Sequence, residues 1–209
     1  MKKDTPTLTE VLLSIIDGYM QSVHTILPGI VQSFNSEKKT VDVRPALKRR
    51  FLDERPDEEI QLLTDVPIGY IQTNNFILSG PLRKGDEVLI VFFERSIDKW
   101  LKQGGIVSPD DPRKFDLSDA LAIPILKPIG KGRQADSENV LLEHGSSTIK
   151  LSPKGTFAIT NGSEELITLV QELADACAAI ITNTQIGPQP PTNKAQFEQL
   201  SQKIGGLIL

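Results

Sequence analysis

A single cysteine, Cys177, occurs in this chain of 209 residues, so no internal disulfide can staple it. Aromatic residues make up only 5%, with one tryptophan, which disfavours a cleft that stacks sugars or bases. Two histidines, His24 and His144, stand far apart, and no His-x-His pair exists. No apolar run approaches ~20 residues, so no segment spans a bilayer by itself as a helix. The phosphate-binding glycine loops, the zinc-protease helix, the paired CxxC and the Gly-x-Ser-x-Gly elbow are missing too. Asp4, Glu10 and Asp17 interrupt the first residues, MKKDTPTLTEVLLSIIDGYM, and no small-residue cleavage site follows, so no signal peptide is expected. A net charge of -4 weighs against general nucleic-acid binding.

What remains is a soluble, globular composition, 39% hydrophobic and 24% charged, with room for one or two modest domains. The most informative stretch runs from Asn139 to Ile180. Ile149 and Leu151 alternate with Thr148 and Lys150; after a Ser-Pro-Lys-Gly turn, Phe157 and Ile159 repeat the alternation. A helix capped by Ser163 follows, running to about Thr182. Its Leu166, Leu169, Leu173, Ala176 and Ile180 are spaced three, four, three, four. A lone hairpin and a lone amphipathic helix are both marginal in water. The region therefore calls for partner chains, and identical copies are the default.

Upstream, Thr7 or Thr9 caps a first helix to about Val23, with Leu8, Leu12, Ile15, Ile16, Tyr19 and Val23 on one side. Strands are expected at 30–34, at 40–51 with Pro45 at an edge or bulge, in VPIGYIQ, at 76–78, in VLIVFFE, and at 122–126. Ser96 caps a short helix closed by Gly104-Gly105. The segment 127–138 reads as a linker, and TQIGPQPP as a rigid turn. Asn193 caps a last helix carrying Phe197, Leu200, Ile204 and Leu207.

Candidate chemistry is sparse. Asp116 and Asp119 flank Leu117-Ser118 and are either an acid-base pair or members of a capped turn, which that spacing favours. His144 is either a hydrogen-bonded surface residue or one ligand of a three-fold metal site. Cys177 reads as a small buried apolar residue, and Trp100 as a packing anchor. Glu94 and Arg95 read as a local ion pair. Lys48-Arg49-Arg50, followed at once by DERPDEE, reads as a charged, solvated loop.

Five motifs in order carry a resemblance: Pro28-Gly29-Ile30-Val31, Val43-Arg44-Pro45, Gly85-Asp86-Glu87-Val88-Leu89, Ser96-Ile97-Asp98-Lys99-Trp100, and the segment from Arg113 to Ala120. Together they resemble the N-terminal domain of the central spike, or membrane-puncturing, protein of contractile-tailed phage baseplates, over roughly Thr7 to Leu126. The resemblance implies an OB-type five-stranded barrel in a homotrimer at the tail tip, docked on tail hub and baseplate proteins. It also implies a trimeric β-helix or β-prism and transient contact with the host envelope. Here the β part is short, no His-x-His apex exists and helices follow, so a separate tip protein at the C-terminal end is expected.

The expected fold is thus mainly β with helices. Residues 1–26 form an N-terminal helix, 27–126 the barrel, 127–138 a linker, 139–161 trimeric β-structure and 162–209 C-terminal helices. The expected function is structural and non-enzymatic, in the virion tail baseplate assembled in the host cytoplasm, with no cofactor, no metal and no nucleic acid. Ile149, Leu151, Phe157, Ile159, Leu166, Leu169, Leu173, Ala176 and Ile180 are the expected trimer interface. A nucleic-acid- or glycan-binding barrel module is the alternative. A peptidoglycan hydrolase is disfavoured because the chain has no room for an inserted enzyme domain. A tailocin or secretion-system spike is the same machine in another setting.

Overall fold

The computed structural model describes residues 6–51 and 56–205. Two compact units divide the chain, 1–132 and 133–209, and the division falls inside the segment 127–138.

Unit 1 opens with α1 (Leu8–Met20). Thr7 caps it, and Glu10 reaches back to the Thr7 N–H in a reciprocal capping box. The helix ends at Met20, short of Val23, and buries none of its own residues. Five strands follow as one antiparallel sheet in the order β3-β2-β1-β6-β7: β1 (Ile26–Asn35), β2 (Thr40–Pro45), β3 (Leu63–Pro67), β6 (Glu87–Phe92) and β7 (Ala120–Ile123). The sheet curls into a half-barrel. One parallel bridge, Ile68 to Ala122, joins the end of β3 to β7, and the Gly69 N–H donates to the Ala122 carbonyl at 2.8 Å. Between β3 and β6 lies a small two-stranded ribbon, β4 (Ile71–Gln72) with β5 (Ile77–Leu78). The expected VPIGYIQ strand is therefore two strands, broken around Gly69.

Strict alternation drives valines and isoleucines inward. Val31, Val41, Val43, Val88, Ile90 and Ala122 are all but inaccessible, and Leu63, Val66, Ile68, Phe92 and Ala120 complete the core. A bulge between Val31 and Ser33 resets the alternation, so that Phe34 also packs on it. Gly29 has a steric reason: a Cβ there would sit 2.5 Å from Ile90 Cδ1 and 2.6 Å from Val43 Cγ2. The second strand stops at Pro45 rather than running on to Phe51, because proline has no N–H to donate. Pro45 is the strand's end, past its pairing with β3, and not an interior bulge.

A short helix, α2 (Asp98–Gln103), ends at Gly104, which takes a positive φ of 64°. Ile97, not Ser96, is its N-cap residue, and it makes no side-chain capping bond. Instead the Ile97 N–H donates to the buried carboxylate of Asp119. Trp100 is about half exposed, not a packing anchor.

Unit 2 begins with a meander of β8 (Val140–His144), β9 (Ser147–Leu151) and β10 (Phe157–Thr160). Gly145 takes a positive φ of 63° in the two-residue turn between β8 and β9. The Ser152–Gly155 turn joins β9 to β10, with Gly155 at φ 82°. Then come α3 (Leu166–Ala178), a hairpin of β11 (Thr182–Thr184) and β12 (Gly187–Gln189), and α4 (Lys194–Gly205). Glu165, not Ser163, caps α3. The segment expected as a rigid turn is that β11–β12 hairpin, closed by Gly187 at φ 103°. Gly206 to Leu209, including the Leu207 expected on the last helix, lie outside the described residues, as do Leu52 to Arg55 of the charged loop.

Candidate assembly surface

Register brings the sheet residues of interest together. Val140, Leu151 and Phe157 form one cross-strand row; Leu142, Ile149 and Ile159 form the next. Partners across an antiparallel ladder share a face, so six apolar side chains line one side of a three-stranded sheet. Five of them are at least 36% exposed, from Ile159 at 36% to Val140 at 68%, and Phe157 is half-buried. The opposite side carries Leu141, Lys150 and the buried Ala158. Val140 and Leu142 were not singled out from the sequence. Their signal is the Gly145-Ser146 turn, which folds Leu142 onto Ile149.

α3 has two apolar faces, and the structure separates them. Ala174 and Ala178 are buried, with Ile167 and Gln171 half-buried beside them on the same stripe. This small-residue ridge meets α4, whose buried Ser201 is flanked on the same face by the half-buried Phe197 and Ile204. Leu200, expected on that face, is 47% exposed. The other face of α3 holds the expected seam. Leu166, Leu169, Leu173 and Ala176 are all exposed, Leu173 at 64%; the helix ends at Ala178, short of the expected Thr182, so the exposed Ile180 lies past its C-cap Ala179 and not on the helix. Cys177 lies between the two faces and is partly buried.

The sheet face and the seam meet. Leu142, Ile149 and Ile159 line one wall of an open groove of about 460 Å³, and Leu166 and Leu169 line the other, with His144 at its border. Leu173 and Ala176 continue the stripe along α3 beyond it. Glu165 fixes this geometry. Its carboxylate accepts the Thr168 N–H and hydroxyl at the start of α3 and the Ile159 N–H of β10. Burial pushes this carboxyl up, but the N–H groups of Thr168, Ile159 and Ile167 more than offset it and hold it at about 2. The same contact covers the outer edge of β10, so that edge is not free to add another strand.

The other candidate residues fall into structural roles. Asp116 accepts the N–H and hydroxyl of Ser118 in a tight turn, and those bonds hold its carboxyl below the usual range. Asp119 has no exposed surface. It is gripped by Arg113, through Nε at 2.6 Å and Nη2 at 3.0 Å, while Nη2 also reaches Asp98 at 2.6 Å. These bonds, to Asp119 first and then Asp98, push the guanidinium further up from its already high range. The two motifs around Asp98 and Arg113 are thus one ionic clasp between α2 and the approach to β7. Lys48 and Arg44 both pair with Glu59, and Glu94 pairs with Arg95. His24 packs at a tilt against Phe92 with ring centres 5.5 Å apart; burial, then the Arg49 charge, lowers its pKa. Among the described residues no helix is long and apolar enough to cross a membrane.

No curated protein matches this chain. Residues 27–125 match the family model described as the phage protein Gp138 N-terminal domain, so the half-barrel of unit 1 is similar to a phage-protein domain and supports a phage structural protein.

Proposed function

We propose that the chain is a homotrimeric structural component of a phage tail baseplate, a spike base at the tail tip, with no catalytic role. The carrying observation is the exposed apolar surface of unit 2, from Val140 through Ile159 and Leu169 to Leu173 and Ala176. Exposed apolar patches of that extent mark interfaces. Two features favour copies of the chain as the cover. The seam of α3 has the spacing of helices that pack on their like. Glu165 bonds to the outer side of β10, and the exposed apolar face of the meander favours burial by face-to-face packing.

In this reading unit 1 is an OB-type barrel that docks on hub and baseplate proteins. Its five antiparallel strands, with a parallel contact between the third and the last, support that assignment. The mechanical logic is that contraction delivers axial force. Three interlocked copies resist it because their faces must part together. A separate tip protein at the C-terminal end completes the proposal, with transient contact to the host envelope.

Replacing both Phe157 and Ile159 with Asp places six charges in the trimer's buried face, at a cost of several kcal/mol each. Light scattering should show a trimer for the native chain and monomers for this variant. A variant still trimeric, with unchanged melting, would sink the assignment.

A further inference from the structure

α1 offers a second apolar surface, none of whose residues is buried. Its large side chains are open: Leu8 at 75%, Leu12 at 50%, Ile15 at 62% and Tyr19 at 64%. Those four are spaced four, three and four residues apart, a heptad seam. Val11 and Ile16 flank it, one on each side, and both are exposed; Leu13 at 61% and Met20 at 58% are exposed outside the seam and these flanks. The helix has two charged residues, Glu10 and Asp17. They stand seven residues apart, at the position of the heptad that points directly away from the seam. Like charges from several copies are thereby kept outside.

The geometry points to a second copy-to-copy seam: we infer that α1 packs in parallel with α1 of the two other chains as a three-helix bundle. The apolar flanks select three helices over two. In a pair, each helix has one neighbour and Val11 and Ile16 stay wet; in a trio each helix has two neighbours, and both flanks are covered. The area is sufficient. Six side chains giving up on the order of 100 Å² each would remove roughly 1,800 Å² over three copies, within the range of stable specific interfaces. A lipid surface fits poorly, because the polar side is acidic and the helix has no lysine or arginine. At 13 residues α1 is also too short to persist alone in water.

This inference rests on the trimer reading, and the test separates the two. In the full chain with Cys177→Ala, Leu12→Cys is compared with Asp17→Cys under mild oxidation, and light scattering is run on the same samples. A bundle gives disulfide-linked pairs at Leu12→Cys at least ten-fold faster than at Asp17→Cys. Equal or absent cross-linking in a sample that is trimeric by scattering overturns the bundle and leaves the trimer standing. A monomeric mass at every concentration overturns both. As a second readout, Leu12→Glu with Ile15→Glu should shift trimer dissociation to higher protein concentration. No shift beside unchanged melting also counts against the bundle.

Discussion

Asp119 is a charge with no exposed surface, and it is tolerated because Arg113 and the Ile97 N–H share it. A buried carboxylate that loses its cation keeps the desolvation cost and forfeits the compensation. Arg113→Gln should therefore destabilise unit 1 by about 3–5 kcal/mol. Asp119→Asn should cost less, since an amide oxygen can still accept from Ile97. Urea melts followed by Trp100 fluorescence would check the order; equal costs would mean that the bond to the Ile97 N–H offers no compensation once the ion pair is lost. Gly29 is the complementary case, where what matters is the lack of a side chain. A methyl group there overlaps Ile90 and Val43, so Gly29→Ala should destabilise by about 1–3 kcal/mol. An unchanged urea midpoint for that variant would show that the sheet relaxes freely at this crossing.

At the scale of elements, Glu165 joins β10 to α3 with one carboxylate. Its folded pKa, about 2, lies below the ordinary ~4.3 of an unfolded glutamate. A depressed acid stabilises the fold in full above the unfolded value, and the contribution is lost as pH falls through the folded one. Unit 2 should thus weaken between about pH 4.5 and 2. Asp136 acts in the same direction. Its carboxylate accepts the N–H groups of Glu138 and Asn139 and pairs with Lys150 at 3.0 Å, which lowers its pKa. Glu165→Gln should flatten the acid limb of the unit 2 melting curve and cost about 1 kcal/mol at neutral pH, the worth of a helix cap. An acid limb of undiminished slope in that variant would assign the transition to other groups.

At the scale of the whole molecule, the barrel core is complete within unit 1, since every residue of its buried cluster lies between Val31 and Ala122. A chain ending at residue 132 should fold alone and give dispersed amide NMR signals. The segment 127–138 is anchored at both ends. Lys127 pairs with Asp86 and Glu87 in unit 1, while Arg133 and Asp136 pair with Glu143 and Lys150 in unit 2. Removing residues 133–209 takes away no residue of that core, so the melting midpoint of unit 1 should move little. A collapsed spectrum would mean instead that the half-barrel depends on assembly.

Periodicity alone placed the helices and most strands of this protein, because side-chain alternation and helical spacing are local properties. The alternation of Ile149 with Leu151, a threonine cap at Thr7 or Thr9, and the order of the five motifs are all visible in the sequence. Long-range choices were not. The sequence contains both apolar stripes of α3 but does not say which one α4 takes. The structure gives the alanine ridge to α4 because small side chains let two backbones approach, and leaves the leucine seam open. The cap expected at Ser96 fails for a similar reason: Asp119, 22 residues from Ile97, takes the Ile97 N–H. At α3 the cap lies two residues later than Ser163, at Glu165, which accepts the Thr168 N–H and is held there by its bond to the Ile159 N–H of β10. A hydrogen-bond partner supplied from another element has no local signature. Only the folded chain decides who meets whom.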